Sequence, residues 1–507
     1  MRLTQMLAGL AFATCLSGVA IAQTGPVRIE LKDGSLIVGT ILSQTSGDYR
    51  VRTSLGELTI SGASVARIVT PVSPAGPLRL HGSNTVGEKL VPRLLESHAA
   101  KQGFVNPEWI VGGSPEERTL KTTTTSAQPG MTAEVYSHGS STAFSALKEG
   151  KADIGMSSRP IKDTEIRELR DAGLGDVSLA GEHVLALDGL AVIVNAVNRI
   201  DRLSIEQIAQ IFAGEITDWG AVGGAPGPIK LYARDGKSGT FDTFSSLVLG
   251  RRTLSSKATR FESSTELSDH VADDHGGIGF ISLAYVRSAK ALALSTACGI
   301  TSTPGLFSVK SEEYPLSRRL YLYTAEAIRL PAARDFVSYT LSDDAQSTVS
   351  ASEYVDLTVQ EADTAYLPAR VTASMPGADG EREEPSDFIR LASTLKGATR
   401  LSLTFRFDYN AANLDSRARE DLRRLASFLR RPENARREVF LVGFADNKGS
   451  YAYNKRLGMQ RAETVRERLE LSERSITVMT GGKLMPVACN TDDPGMAKNR
   501  RVEVWLR

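Results

Sequence analysis

The strongest constraint on the fold is a pattern that recurs three times between residues 80 and 250. Each time, an apolar stretch ends in a cluster rich in small hydroxyl-bearing residues, and a segment with helical spacing follows. The clusters lie at residues 83–85, 140–142 and 238–240. Because strand-like and helix-like segments keep alternating from residue 78 to residue 367, the sequence predicts an α/β arrangement in which these clusters join strands to helices.

The three clusters together predict an anion site. A helix N-terminus leaves backbone N–H groups free, and its dipole favours a negative charge. Serine and threonine hydroxyls add donors, and Arg234, four positions before Ser238, adds a charged fork. A single cluster is more often an ordinary N-cap. Three clusters with an arginine favour a site that surrounds a tetrahedral oxyanion without a metal.

Other kinds of site fit the sequence poorly. The fragment Gly236–Ser238 is similar to the end of a P-loop, but Leu231 stands where that motif requires glycine, so nucleotide hydrolysis is disfavoured. The six histidines follow no metal-ligand spacing, and we predict neither a metal nor a cofactor. A serine hydrolase at Ser140 would lack a nucleophile elbow and an assignable base, so we do not predict an enzyme. The net charge of +1 gives no reason to expect nucleic-acid binding.

Residues 77–365 resemble the periplasmic phosphate-binding proteins that serve ABC importers. The segments that carry the resemblance are Gly82–Thr85, His138–Thr142, Ala152–Pro160, Ile211–Trp219, Arg234–Thr240 and Gly276–Phe280. The resemblance implies two α/β lobes joined by a hinge, with the anion in the cleft between them. It also implies a set of anion-binding residues: Ser83, Thr85, Ser140, Ser141, Arg159, Arg234, Ser238, Gly239 and Thr240.

This segment departs from the family at one position. Many relatives have an aspartate where Ser158 stands, and that aspartate accepts the proton of hydrogen phosphate. A site made only of donors should discriminate less against a fully deprotonated anion such as sulfate. The neighbouring Arg159 is either a second cationic ligand or the partner of a surface carboxylate, and the sequence leaves both readings open.

The final part of the chain contains an ordered set of positions: Asp446, Asn454, Leu457, Arg461, Arg500 and Arg501. Asp446 and Arg461 are 15 positions apart and could be an ordinary surface pair, but an acid facing a base across a pocket suits a zwitterion. The segment resembles the OmpA-type peptidoglycan-binding domain, whose ligand is the free amino-acid end of diaminopimelate.

The resemblance assigns a role to each of these polar residues. Asp446 would accept from the ammonium group and Arg461 would hold the carboxylate. Asn454 would brace the loop, and Arg500 or Arg501 would complete the network. Phe444-Ala445 stands where relatives usually have His-Thr, so one hydroxyl is lost near the ligand and weaker binding is expected.

The remaining segments complete a multidomain α/β and α+β chain. Residues 1–22, with an apolar stretch and a small-x-small end, predict a secretory signal peptide. Several short strands with turns at residues 23–71 predict a small β-barrel that resembles LSm and SH3 modules. Residues 366–387 are a charged, flexible linker, and residues 388–507 form the OmpA-like α/β sandwich. Cys298 and Cys489 lie in different predicted domains, so no disulfide is predicted.

Taken together, these features predict a periplasmic binding protein of a Gram-negative bacterium, held non-covalently on diaminopimelate-type peptidoglycan. Its ligand would be phosphate or a similar oxyanion. Association with the outer membrane and delivery to an ABC importer are left open. The alternative is a wall-anchored structural or protein-interaction protein whose binding fold no longer takes an anion. The linker predicts that the two binding domains act independently.

Overall fold

The computed structural model describes a large part of the 507-residue chain. The described ranges are 26–33, 35–45, 47–53, 56–69, 76–178, 181–325, 330–362, 385–407, 416–471, 473–491 and 493–507. The predicted signal peptide and most of the predicted linker lie outside them, as does Gly34 of the first predicted turn. Across the described ranges, we find no helix whose length and apolarity would let it cross a bilayer.

The chain divides into two compact units. The smaller unit contains the N-terminal strands together with residues 99–108 and 121–131, and the larger unit contains the other described residues from 76 onward. The alternating sequence at the N-terminus forms five strands: β1 (Pro26–Leu31), β2 (Leu36–Gln44), β3 (Asp48–Thr53), β4 (Gly56–Ser61) and β5 (Val65–Val69).

The N-terminal strands form an antiparallel sheet in the order β4-β3-β2-β1-β5. One face buries four aliphatic side chains, Ile29, Ile41, Val51 and Ile60, as the alternating pattern requires. Closure into a barrel would need hydrogen bonds between the edge strands β4 and β5. No such ladder is present among the described residues, so the described strands form an open sheet and not the predicted closed barrel.

The middle of the chain supplies most of the larger unit. Its strands are β6 (Leu78–Gly82), β7 (Val105–Val111), β8 (Glu117–Thr123), β9 (Pro129–Tyr136), β10 (Ile154–Ser157), β11 (Glu182–Val194), β12 (Arg202–Ser204), β13 (Lys230–Arg234), β14 (Thr259–Phe261), β15 (Gly277–Ser282), β16 (Lys290–Ala291), β17 (Ala293–Ser295), β18 (Thr301–Ser302) and β19 (Ser317–Tyr323). Its helices are α1 (Val91–Lys101), α2 (Ser140–Lys148), α3 (Asp163–Asp171), α4 (Ile205–Ala213), α5 (Gly239–Phe244), α6 (Ser264–Asp273), α7 (Leu306–Lys310), α8 (Pro331–Thr340) and α9 (Asp343–Ala351).

The predicted two-lobed α/β fold is confirmed. The main sheet runs in the order β14-β13-β15-β11-β19-β10-β6-β9-β8-β7, and β16 pairs with β11. Parallel strands β6, β9 and β10 form the centre of one lobe, and parallel strands β13, β14 and β15 form that of the other. The 13-residue strand β11 pairs with β19 and with β15, so it belongs to both lobes and joins them.

The C-terminal domain is a four-stranded sheet covered by helices, as predicted. Its strands are β20 (Thr399–Arg406), β21 (Val439–Phe444), β22 (Ile476–Gly482) and β23 (Arg501–Leu506), in the order β20-β23-β21-β22. Its helices are α10 (Pro385–Thr394), α11 (Ser416–Arg430), α12 (Tyr451–Arg468) and α13 (Asp493–Asn499). Helix α12 crosses β21 at two glycines, because a Cβ on Gly443 would lie only 1.8 Å from the carbonyl oxygen of Gly458.

The middle and C-terminal domains are joined by a buried charge cluster. Glu312 of the middle domain pairs with Arg319 at 2.6 Å, with Arg406 at 3.0 Å and with Arg417 at 3.1 Å, and the last two belong to the C-terminal domain. Burial alone would raise the pKa of Glu312, but these three guanidinium groups outweigh it and hold that pKa well below its usual value.

A disulfide between Cys298 and Cys489 joins the same two domains, so the prediction of no disulfide was wrong. Their Cα atoms are 5.7 Å apart although 191 positions separate them in the sequence. Sequence distance does not reveal which domain surfaces meet, and here Lys498 of the C-terminal domain also donates to the Tyr314 carbonyl. A covalent link and buried ion pairs argue against the independent domains that the linker predicted.

Candidate functional site

The hydroxyl clusters of the two lobes meet in the middle domain. Thr85, at the start of the helical turn 86–90, has its Oγ1 3.1 Å from Oγ1 of Thr240 in α5 of the other lobe. Ser140, the first residue of α2, has its Oγ 3.3 Å from Oγ of Ser158. All four side chains are buried. The predicted convergence of three strand–helix junctions is therefore seen as a set of inward-facing hydroxyls.

Two glycines allow this approach. A Cβ on Gly239 would lie 2.2 Å from the Ser140 hydroxyl and 2.5 Å from the Ser158 hydroxyl, so a larger residue would push the lobes apart. Gly139 has a φ of +99°, and a Cβ there would lie 2.3 Å from the Lys237 carbonyl oxygen. The sequence analysis placed Gly239 among the anion-binding residues. In the structure its missing side chain makes room between the lobes.

Arg234 is fully buried at the end of β13. Its guanidinium donates to the Ser264 hydroxyl and, from Nε, to the Phe261 carbonyl at 3.3 Å. Within the described residues no carboxylate lies within ion-pair distance of it. Burial lowers the pKa of Arg234, while the more distant Glu88 and Asp235 oppose that shift. A buried guanidinium without a paired carboxylate is costly, and a bound anion would relieve that cost.

Arg318 is a site residue that the sequence analysis missed. It lies on β19, buried, and two of its nitrogens bond to one oxygen of Asp188 at 2.7 and 2.9 Å. Its Nη1 donates to Thr240 Oγ1 at 2.9 Å and its Nη2 to Thr85 Oγ1 at 3.4 Å. A signal did exist, because Asp188 is the one acidic residue in the apolar run 184–194.

Two predicted anion ligands lie elsewhere. The Ser141 side chain is exposed, because α2 begins at Ser140 and turns the next residue outward. Arg159 is buried and pairs with Glu165 at 2.6 Å and with Asp242 at 2.7 Å. Burial acts to lower the pKa of Arg159, but those two carboxylates outweigh burial and raise it. Arg159 is therefore corrected to an ion-pair residue that links the lobes, as the alternative interpretation held, although the pair is not at the surface.

Ser83 and Ser238 shape their turns. The Ser83 carbonyl accepts from the Gly87 N–H at 2.8 Å, and its own N–H donates to the Met156 carbonyl at 2.9 Å. The Ser238 hydroxyl accepts from the Thr240 N–H at 3.2 Å, which is an N-cap. Both side chains are buried beside the converging hydroxyls, and the bonds described here keep the two turns in place.

A cavity of about 710 Å³ opens between the lobes next to these groups. One lobe contributes Glu88, Glu116 and Arg118, and the other contributes Glu266, Tyr285 and Arg287. The cavity is lined by charged and polar side chains of both signs.

The C-terminal domain has a second polar site, at the end of β21. Asp446 is buried, its Oδ2 pairs with Arg500 Nη1 at 2.9 Å, and its Oδ1 accepts from the Lys448 N–H at 2.9 Å. Arg461 of α12 is fully buried, and its Nη1 donates to the Phe444 carbonyl at 3.2 Å. Burial, together with the nearby Arg500, lowers the pKa of Arg461 to about 10. One acid and two arginines thus share this pocket.

The other predicted wall-site residues differ in role. Both side-chain amide atoms of Asn454 are buried without a hydrogen-bond partner in the described ranges, so the predicted bracing bond is not seen. Leu457 is half-buried on α12. Arg501 pairs with Glu503 at 2.6 Å and donates to the Met485 carbonyl, inside the domain. Of the two alternatives, Arg500 and not Arg501 reaches Asp446.

The geometry defines a two-lobed α/β binding protein with a polar cleft, carried on the same chain as a C-terminal α/β sandwich. Comparison with known families agrees. Residues 110–344 match the family model described as PBP superfamily domain, and residues 406–500 match the model described as OmpA family.

Individual relatives narrow this class. The chain is 30% identical over 217 residues to protein SphX of Synechococcus elongatus. The aligned region covers 40% of this chain and 63% of SphX. It is 30% identical over 232 residues to the phosphate-binding protein PstS of Bacillus subtilis, which covers 45% of this chain and 73% of PstS. The chain therefore belongs to the PstS family of binding proteins.

A solved structure of a putative phosphate ABC transporter substrate-binding protein with bound phosphate, from Clostridium perfringens, is also similar. It is 25% identical, covers 55% of this chain and 99% of its own, and has a TM-score of 0.44.

Proposed function

We propose that this protein is a periplasmic binding protein for phosphate or a similar oxyanion, tethered to the cell wall by its C-terminal domain. The observation that carries the proposal is Arg234, a buried guanidinium that pairs with no carboxylate among the described residues. It ends the strand that leads into the turn and helix of Thr240, where hydroxyls from both lobes converge. An oxyanion would supply the missing negative charge and accept from those hydroxyls. The PstS relative has the name of a phosphate-binding protein, which supports the same ligand.

The proposed ligand set is narrower than the sequence suggested. Its donors are the side chains of Thr85, Ser140, Ser158, Arg234, Thr240 and Arg318. Ser83, Ser238 and Gly239 shape the turns, and Arg159 holds the lobes together. Delivery of the anion to an ABC importer belongs to the proposal, as the resemblance to periplasmic phosphate-binding proteins implies.

The test is calorimetric titration of the full chain, stripped of carried-over ligand, with inorganic phosphate. The wild-type protein should bind phosphate with micromolar or tighter affinity, and Arg234→Ala should weaken that affinity by at least about 100-fold. Arg287→Ala is the control, because Arg287 lines the same cavity but pairs with exposed Asp269. Folded protein that binds no phosphate would contradict the proposal and favour a structural wall protein.

The C-terminal pocket supports the second half of the proposal. Asp446 can accept from an ammonium group while Arg461 and Arg500 face a carboxylate, which matches the free end of diaminopimelate. Attachment would keep the protein at the wall and raise its local concentration there. Because the peptidoglycan of a Gram-negative cell lies beside the outer membrane, attachment to it would also bring the protein close to that membrane. The test is co-sedimentation of the full chain with purified diaminopimelate-type peptidoglycan, competed by free diaminopimelate.

The domain boundaries at 23–71, 77–365 and 388–507 remain part of the proposal. The described residues of the open N-terminal sheet include no polar cluster that indicates chemistry, so we assign the sheet a spacer or interaction role. Deleting residues 26–71 should leave phosphate affinity and peptidoglycan binding within about twofold, which the same two assays check.

A further inference from the structure

Two adjacent arginines of β19 face opposite sides of the strand, because successive side chains of a strand alternate between its two faces. Arg318 turns into the cleft, where it donates to Thr240 at 2.9 Å and to Thr85 at 3.4 Å. Arg319 turns the other way and pairs with Glu312 at 2.6 Å. A shift of this short stretch of backbone would therefore move the anion-facing side chain and the opposite side chain together.

The C-terminal domain holds Glu312 from outside the binding fold. Arg406, at the end of β20, donates from Nε to Glu312 at 3.0 Å, and Arg417, in the first turn of α11, pairs with it at 3.1 Å. Arg406 also donates to the Ser311 carbonyl at 2.9 Å and to the Lys498 carbonyl at 2.6 Å. Arg406 therefore ties two consecutive residues of the middle domain to the body of the C-terminal domain.

Glu312 has an unusual backbone conformation. Its φ is +58°, in the left-handed region that glycine adopts more easily, and it follows directly on α7 and its C-cap Ser311. Such a conformation persists only where the surrounding contacts hold it. The ion pairs of Glu312 supply those contacts at the turn between α7 and β19.

The rest of the segment that leads into β19 is held in the same way. Arg400 of the C-terminal domain pairs with Glu313 at 2.7 Å. Lys498 donates to the carbonyls of Tyr314 at 2.7 Å and Pro315 at 3.0 Å. The C-terminal domain thus bonds to each of five consecutive residues that lead into the strand of the anion-facing arginine.

We propose that Arg406 is a positioning residue for anion binding. Together with Arg417 it holds Glu312, and Glu312 fixes Arg319 on one face of β19. Arg318 is thereby presented to the cleft on the other face. The C-terminal domain is then part of the anion-binding apparatus as well as a tether. This inference rests on the proposed function, in which Arg318 is an anion ligand.

The experiment is calorimetric titration of the full chain with inorganic phosphate, in the wild type and in Arg406→Lys. Lysine keeps a positive charge beside Glu312, but one ammonium group cannot span the three acceptors that the guanidinium reaches. We expect affinity about 5- to 20-fold weaker, with the stoichiometry of the wild type. A merely structural role would instead reduce the folded fraction, and hence the stoichiometry, while the folded molecules kept their affinity.

A double-mutant cycle tests whether Arg406 acts through Arg318. If it does, Arg406→Lys should weaken phosphate binding by less than about twofold when Arg318 is already replaced by lysine, because the guanidinium that it positions is gone.

The matched control is Arg437→Lys, which alters another ion pair between the same two domains. Arg437 pairs with Glu361 of the middle domain at 2.5 Å. The bonds of Glu361 are to Arg437 and Thr399, both in the C-terminal domain, and not to the segment before β19. Arg437→Lys should therefore change phosphate affinity by less than about twofold.

Three results would overturn the inference. The first is unchanged phosphate affinity in Arg406→Lys or, if that variant does not fold, in Arg417→Lys, which loosens the same glutamate. The second is an effect of Arg406→Lys that is equally large with and without Arg318. The third is an equal loss of affinity in Arg437→Lys. A wild-type protein that binds no phosphate would instead overturn the proposed function, and this inference with it.

Discussion

Arg318 is held by Asp188 at 2.7 and 2.9 Å so that its guanidinium reaches hydroxyls from both lobes, Thr85 and Thr240. Replacement by lysine keeps the charge beside Asp188 but loses the planar fork. We predict that Arg318→Lys weakens phosphate binding by about 10- to 100-fold in calorimetry, as expected for lost charge-assisted hydrogen bonds. Arg287→Lys at the cleft mouth is the matched control and should change affinity less than about twofold.

Ser140 and Ser141 are adjacent, but only Ser140 points into the cleft. The Ser140 hydroxyl accepts from the Ser158 N–H at 3.1 Å and contacts the Ser158 hydroxyl, whereas Ser141 is exposed. We predict that Ser140→Ala costs about 5- to 30-fold in phosphate affinity and that Ser141→Ala costs nothing measurable. Equal effects of the two substitutions would contradict the orientation of α2 described above, in which Ser140 faces the cleft and Ser141 faces away from it.

Asp446 gives the C-terminal pocket its negative charge. Because it pairs with Arg500 and faces Arg461, Asp446→Asn should remove the ammonium-binding group while keeping the side-chain shape. We predict at least about tenfold weaker co-sedimentation with peptidoglycan. Arg456→Gln is the control, because Arg456 is exposed on α12, the helix that carries Arg461, and this variant should bind peptidoglycan as the wild type does. Unchanged binding by Asp446→Asn would place the wall site elsewhere.

The disulfide between Cys298 and Cys489 closes a loop of 191 positions between two domains. Long cross-linked loops restrict the unfolded chain most, so the double replacement Cys298→Ser with Cys489→Ser should lower the free energy of unfolding by about 2–5 kcal/mol. Differential scanning calorimetry checks this, and mass spectrometry of unreduced peptides checks the bond itself. The ion pairs of Glu312 remain in the variant, so a complete separation of the domains is not expected.

His81 makes stability depend on pH. Burial lowers the pKa of His81 to about 4, with Arg79 adding to the effect, against 6.5 for the free side chain. The unfolded chain therefore binds a proton below pH 6.5 that the folded chain does not, so stability falls as the pH drops from 6.5 towards 4. Urea unfolding across this range should show the decline, and His81→Gln should flatten it. A slope that survives the substitution would assign the effect to another group.

Much of the fold could be predicted because it follows from local rules. The alternation of strands and helices appears as the local pattern predicted, and the two lobes and the C-terminal sandwich appear as the family resemblances implied. The hydroxyl clusters were recognisable because serine and threonine at a helix start act over only a few residues. The rule did not predict which serine of a cluster points inward. The position of each residue around the helix axis decides this, and it buries Ser140 and exposes Ser141.

Other features depend on residues that are distant in the sequence. Arg318 joins the site because β19 lies beside β11, which carries Asp188. Arg159 leaves the predicted ligand set because Asp242 of the other lobe comes within 2.7 Å. Neither outcome follows from the immediate neighbours of those arginines.

The sequence alone therefore determined the class of each domain, the three strand–helix turns and the order of the polar positions in the C-terminal domain. Periodicity, capping and short motifs are properties of neighbouring residues, so they can be recognised in the sequence alone. Only the tertiary structure decided that Arg318 meets Asp188, that Arg159 meets Asp242, and that Cys298 meets Cys489. Partner choice and burial are set by packing between segments far apart in the chain, where side-chain geometry over a few ångströms decides the interaction.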